Sequence, residues 1–491
     1  MKFDEEVDSE SATTEGRSVI VRCDLAGNRS QRGDRIKVRA ASRPGFWTLL
    51  VVLSLVLCGC SSLTSAGKAK TPIAELPAAQ VAGHVTVWSW NIAAESLNSI
   101  RPRFEAHDPK VHVIVDMTGA QMQMRLMLSI VAGVGAPDVS QLQNTDAPYY
   151  IATGRLTDLT SVAGKYRAEF PAAVWNSCVL NGHVYAVPWD IGPCAIYYKR
   201  SIFRRYGIDP NQIDTWDRYI SAGSEILAKS GGRTKMLPMG SNDLSTLFGI
   251  LLQQSGGQIF DGQGRIAIDS PQSLEALDVL RKMRMAGITS DVPTYSQEWM
   301  AGLTDDSVAT YPGAAWLSGM IKDSVTAGKD GNADWGVFRL PAIEPGGLRV
   351  ANVGGSVLVI PAQCRNKPAA WAFIEYALCS REGQLAQYRG SGIFPALLPA
   401  LHDPSMDVSD PFFDGQMVSN LFTTDITKIT PLNKTATWTE ANGYLNEALS
   451  HWAATGMTKE DIFKPLAQTM SRRLMVDLAP GVSNVSGAAV K

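Results

Sequence analysis

The chain lacks most of the features that announce catalysis, metal binding or nucleic-acid binding. Its 491 residues hold 6 histidines, at positions 84, 107, 112, 183, 402 and 451, too scattered for a metal cluster and forming no His-Glu-x-x-His pair. It has no Gly-x-Ser-x-Gly elbow and no phosphate-binding glycine loop. Lysine and arginine (45) nearly balance aspartate and glutamate (47), and no basic cluster interleaves with aromatics beyond the N-terminus, so no nucleic-acid partner is expected and the ligand should be small or neutral. Nothing implies a cofactor. The longest apolar run near the N-terminus, Phe46 to Leu57, covers about half of the roughly 20 residues needed to span a bilayer. Internal repeats and long low-complexity tracts are missing as well.

Cysteines are few, 7 in all. Cys364 and Cys379 are separated by a helical pattern that holds them roughly 15–20 Å apart, beyond disulfide reach. Cys178 and Cys194 flank an expected hairpin, where an oxidising compartment would permit a bond.

The length exceeds that of a single ordinary core, so two lobes are expected. A basic stretch from Arg29 to Arg43 precedes the apolar run, in the order of a secretion signal. The run ends in Leu57-Cys58-Gly59-Cys60-Ser61-Ser62, which resembles a bacterial lipobox and makes Cys60 the expected acylated residue. Residues 1–60 are thus read as leader and lipoprotein signal peptide, with no function assigned to 1–28. Residues 61–80, rich in Ser, Ala, Lys and Pro, suit a flexible tether.

From His84 onward short strands alternate with amphipathic runs: His84 to Ser89, helix around Ala93 to Ala106, Val111 to Asp116, helix around Gln121 to Ala132, then Asp138 to Leu142. That is a βαβαβ pattern with a parallel sheet. Further on, Thr215 caps a helix to Lys229, Ser270 one that starts on Pro271 and stops at Gly287, and Asn366 one through Leu378. Ser356 to Ile360 reads as a strand.

Five segments in order resemble the sugar-binding proteins of ABC importers, the extracellular solute-binding proteins of the maltodextrin-binding type (family 1). They are Val85 to Asn91 (VTVWSWN); Pro137 to Val139 with Gly154 to Thr160; Gly182 to Asp190 (GHVYAVPWD) with Tyr197-Tyr198-Lys199; Thr215 to Asp217; and Gly354 to Pro361 (GGSVLVIP). Their register covers about 84 to 395. The resemblance implies a two-lobed α/β fold of the periplasmic-binding-protein type (type II), with a ligand cleft at an interlobe hinge. It puts 81–190 and 300–362 in lobe 1, and 191–299 and 363–491 in lobe 2. It further implies a monomeric, non-enzymatic binding component, anchored outside the cytoplasm by the N-terminal lipid, that delivers a mono- or oligosaccharide to permease subunits and their ATPase.

Sugar recognition needs aromatic faces for the C–H surface of a pyranose and fixed donors and acceptors for its hydroxyls. Trp90 and Asn91 follow the first strand at the carboxyl edge of the sheet, where open α/β sheets bind ligands; a core Trp and a turn Asn are the alternative. Asp146, with Gln143 and Asn144 nearby, follows the third strand, either as hydroxyl acceptor or as a helix cap. In the family pattern Trp189 stacks and Asp190 accepts, Trp316 faces the cleft after the chain returns to the first lobe, and Gly354 and Gly355 let backbone approach the ligand. Trp438 and Asn242 are second-lobe candidates, against core packing and helix capping respectively.

A glycosidase would need two carboxylates across a cleft, for which Asp146 and Asp190 are the available pair, but nothing else supports it. Other cargoes for the same architecture, such as a polyamine, oxyanion or metal, remain open, as does a sugar-sensing lipoprotein.

Overall fold

The computed structural model describes residues 73, 80–119, 121–326, 333–458 and 461–482. Cys60, the apolar run and nearly all of the expected tether lie outside the described residues. Ile73 is the exception. Its side chain is buried in the first hydrophobic core and its carbonyl accepts the Ser161 hydroxyl, 3.3 Å away, so the tether docks at this point and is not free along its whole length.

The expected βαβαβ unit is present: β1 (Gly83–Ser89), α1 (Asn91–His107), β2 (Val111–Met117), α2 (Met122–Ala132) and β3 (Val139–Gln143). A short helix, α3 (Ala147–Ala152), follows. β1 pairs in parallel with β2 and with β3. The chain then returns as β4 (Ala186–Pro188) and leaves the sheet as β5 (Cys194–Lys199).

The helices of the second region start where their caps place them. Thr215 accepts the amide of Arg218 to open α4 (Trp216–Lys229), and α5 (Leu244–Gln254) follows. Ser270 accepts that of Ser273 to open α6 (Pro271–Met285). Beyond them run β6 (Thr310–Ala314), α7 (Leu317–Ser324), β7 (Trp335–Arg339) and β8 (Ser356–Val359). α8 (Lys367–Cys379), capped by Asn366, α9 (Arg381–Ser391), α10 (Trp438–Thr455) and α11 (Phe463–Leu474) follow.

β8 inserts antiparallel between β3 and β4, giving the sheet order β2-β1-β3-β8-β4. A separate three-stranded sheet, β6-β5-β7, joins the lobes. Side chains alternate along β5, so Tyr197 enters the first core while Ile196 and Tyr198 enter the second.

The two cores correct the lobe boundaries. Apolar residues of 369–429, from Ala369 to Ile429, pack with β1–β3 in the first core, whereas Trp438 to Met470 pack with 194–288 in the second. The resemblance had put all of 363–491 in lobe 2. The physical reason is that α8 and α9 cover the face of the five-stranded sheet that also carries α1; Ser96 on α1 bonds to Gln387 on α9.

The crossovers run side by side. Pro193 bridges Asn352, Gly192 N donates to Asn352 Oδ1 at 2.8 Å, and Val353 N to Gly192 O at 2.9 Å. A Cβ on Gly192 would stand 2.0 Å from the Val353 carbonyl, so only glycine lets the two strands lie this close. Cys178 and Cys194 are both buried and free, not bridged, as are Cys364 and Cys379. Among the described residues no helix is long and apolar enough to cross a membrane.

Candidate functional site

The carboxyl ends of β1 and β3 and the start of β8 meet where the two lobes touch. Beneath this edge lies a buried polar network. Ser89 Oγ donates to Gln141 Oε1 (2.6 Å), Gln141 Nε2 to Ser356 Oγ (3.0 Å), and Ser356 N to Asp190 Oδ1 (2.7 Å). Such a network, satisfied at each step, fixes the strand ends that carry the site. Burial of Asp190 outweighs the Ser356 hydrogen bonds and pushes its carboxyl up to about 6.

Above the network, two contacts cross between lobes. Asp146 accepts the Gln123 amide of its own lobe at 2.8 Å and the Thr439 hydroxyl of the second lobe at 3.0 Å. Its carboxylate does not cap α3. Asn144 is fully buried, donates to Val174 O at 3.1 Å and to the Ser177 hydroxyl, and accepts the Lys434 ammonium from the far side. Burial lowers the Lys434 amine to about 8.

A run of backbone links this cluster to an aromatic pocket. Asn144 N donates to Gly355 O at 2.9 Å, and Trp316 Nε1 to Val353 O at 3.4 Å. Trp316 is 41% exposed, and its indole nitrogen lies 3.6 Å from where a Cβ on Gly354 would sit. With Tyr295, Trp299, Asp243 and Thr246 it lines a pocket of about 140 Å³. With the lobes in contact this volume is below the roughly 300 Å³ of a whole small-molecule site.

Gly355 lies beside Asn144, two residues before Asp146, and Gly354 lies beside Trp316, so the glycine pair runs from the Asp146 loop to the aromatic pocket, with Asp190 next to Gly355 and Ser356. Trp90 is half-buried against the cluster around Trp88, its amide 3.3 Å from Gln141 Oε1. Asn91 is exposed at the first turn of α1 with φ 47°. Asn242 is exposed and holds the loop opposite, its Oδ1 accepting the Thr294 amide at 3.0 Å next to the pocket.

Trp189 is corrected, and Trp438 takes its core-packing alternative. Trp189 is 1% exposed and points into the first core, its indole N–H donating to Gln387 Oε1 at 2.7 Å. It shares the parity of Val187, which also enters the first core, so it cannot stack in the cleft. Trp438 is 7% exposed and packs in the second core near Phe260. Sequence reasoning missed Lys434, Thr439, Gln123 and Tyr295. For Lys434 the sequence carries no signal, since its partner Asn144 is 290 residues away.

Among the described residues no group of three or more His, Cys, Asp or Glu side chains forms a metal site. An acceptor, an ammonium donor and an exposed indole on facing lobes suit a neutral polyhydroxylated ligand bound without covalent chemistry. The fold and the site together define a two-lobed binding protein with its ligand between the lobes.

The chain belongs to the bacterial extracellular solute-binding protein family, whose model matches residues 89–382. It is 26% identical over 370 residues to the arabinooligosaccharide-binding protein of Bacillus subtilis, covering 71% of this chain and 79% of that one. To the lactose-binding protein of Rhizobium radiobacter it is 26% identical over 376 residues, covering 72% and 85%. Among solved structures it resembles the sugar-binding protein MalE of Xanthomonas citri (TM-score 0.69, 22% identity, 80% and 99% covered). It also resembles the ABC-transporter-associated binding protein of B. animalis subsp. lactis in complex with β-1,6-galactobiose (TM-score 0.64, 25% identity, 80% and 97% covered). The family and these relatives are binding proteins, not enzymes.

Proposed function

We propose that this protein is the carbohydrate-binding component of an ABC importer, holding a mono- or oligosaccharide between its lobes and presenting it to the permease subunits. The observation that carries the reading is that Asp146 and Asn144, after β3, meet Thr439 and Lys434 of the other lobe, beside the glycine pair that leads to the exposed Trp316. Asp146 accepts hydroxyls, Trp316 offers a flat face to a ring, and the glycine pair brings backbone near both. Two relatives whose names specify sugar cargo support the same class.

The lobes swing about the paired crossovers at 190–194 and 351–355. Cargo favours the closed state because only that state presents both lobes' groups to it. Secretion and acylation at Cys60 keep the protein outside the cytoplasm and beside the permease, as a monomer.

A thermal-shift screen against mono-, di- and oligosaccharides, with phosphate, ferric ion and polyamines as controls, tests the reading. Ligand that binds only the folded state raises the melting temperature with log concentration. A shift confined to the controls overturns the sugar assignment, and Asp146→Ala should lower the sugar-induced shift.

A further inference from the structure

Lys434 lies on the stretch where the chain passes from the first core, left after Ile429, to the second, entered at Trp438. That stretch is fastened to the second lobe at Gln258 and Phe260. Gln258 Nε2 donates to Pro431 O at 2.8 Å, Asn433 N to Gln258 Oε1 at 2.9 Å, and Asn433 Nδ2 to Phe260 O at 3.1 Å. The side chain of Lys434 then leaves its own lobe and reaches Asn144 at the end of β3.

The ammonium carries three donor hydrogens. Among the described residues its hydrogen-bond partner is Asn144 alone; the Trp438 ring lies 6.0 Å from the nitrogen. Asn144 has its own amide fixed by Val174 and Ser177, so its oxygen cannot turn away. The Asp146 carboxylate is near enough for its charge to bear on Lys434, and its one cross-lobe partner is a hydroxyl, that of Thr439. A half-buried charge with donors to spare beside a carboxylate that already receives a hydroxyl is an incomplete constellation, and polar groups left unpaired in such a place carry a cost that a ligand removes.

We propose that Lys434 is a cargo-contacting residue, which together with Asp146 reads a single sugar hydroxyl: the hydroxyl donates to the carboxylate and its lone pairs accept from the ammonium. This rests on the sugar-binding reading. The sugar takes the place of the Thr439 hydroxyl at Asp146, so cargo replaces a contact the chain makes with itself. A cargo lacking that hydroxyl leaves the Lys434 ammonium with Asn144 alone and binds weakly.

The pairing requires the charged amine. Besides Asp146 on the loop after β3, the titratable group bearing on Lys434 is the Cys178 thiol behind Asn144, which burial pushes up to about 12 and keeps neutral. With its amine at about 8, Lys434 contributes affinity below that pH and loses it above.

The test is calorimetric titration of the purified protein with the sugar it binds, from pH 6 to 9.5, alongside Lys434→Met and Lys434→Arg. Wild-type affinity should hold to about pH 8 and then fall by up to about tenfold per pH unit as the competent fraction declines. Lys434→Met should bind at least about tenfold more weakly at pH 7 with a flat profile in this range. Lys434→Arg keeps charge and donors and should bind within a few fold at pH 7, also flat, which decides the matter should the Met variant fold poorly. Wild-type affinity in Lys434→Met, or an undiminished alkaline decline in either variant, overturns the proposal while leaving sugar binding intact. A wild type that binds no sugar overturns the functional reading and this inference with it.

Discussion

Replacing Trp189 separates a structural tryptophan from a ligand-binding one. Its indole is 1% exposed, and its N–H gives Gln387 Oε1 a 2.7 Å hydrogen bond. Its backbone is tied at both ends, N to Ser356 O at 2.9 Å and O to Gln384 Nε2 at 2.7 Å, so the ring cannot swing into the cleft without breaking the sheet edge. Phenylalanine keeps an aromatic ring but removes the donor and leaves a small void. The lost hydrogen bond costs about 1 kcal/mol, because Gln387 Oε1 retains the Ser96 hydroxyl at 3.2 Å. The void adds about another 1 kcal/mol. Trp189→Phe should therefore lower the unfolding free energy in urea by about 2 kcal/mol, and Trp189→Ala by about 3–5 kcal/mol. Sugar affinity of the folded Phe variant, measured by calorimetry, should stay within about twofold of wild type, since nothing above the sheet edge is altered. Wild-type stability together with tenfold weaker binding would refute the reasoning.

Trp316→Ala should do the reverse: a ring that is 41% exposed takes little from stability when removed, but binding should weaken about tenfold or more, as read by titration. Gly355 has φ +102°, and a Cβ there would stand 2.8 Å from the Asp190 carbonyl oxygen; Gly355→Ala should lower the melting temperature and weaken binding together. Asp190 links the site to pH. Its folded carboxyl, at about 6, lies above its unfolded value near 4, so the folded state holds that proton longer. The stability it contributes is present at low pH and is lost as pH rises from about 4 to about 6, then stays constant. The difference between wild-type and Asp190→Asn unfolding free energies should change across that window and nowhere else; a constant difference would contradict the assignment.

The fold was largely legible because its signals are local. Alternation in Val85 to Ser89 and the Thr215, Ser270 and Asn366 caps each depend on residues a few positions apart, and each element starts where they put it. For the site, position along a strand picks out Asp146 after β3, whereas Trp316, Gly354 and Gly355 come only through the family pattern. Trp189 was misread because the face it occupies is covered by α9, which begins nearly two hundred residues later. Nothing near Gly182 to Asp190 says which side of β4 that helix will take. The boundary at 363 failed for the same reason. Lys434 was invisible because its partner Asn144 is 290 residues away, and a lone lysine in a loop has no pattern of its own.

A crystal structure of the complex with the sugar that most stabilises the protein tests the central claim most directly. The account predicts a ring against Trp316 and a hydroxyl between Asp146 and Lys434, with both lobes in contact with cargo. Sugar bound on one lobe alone, or away from that line, would contradict it.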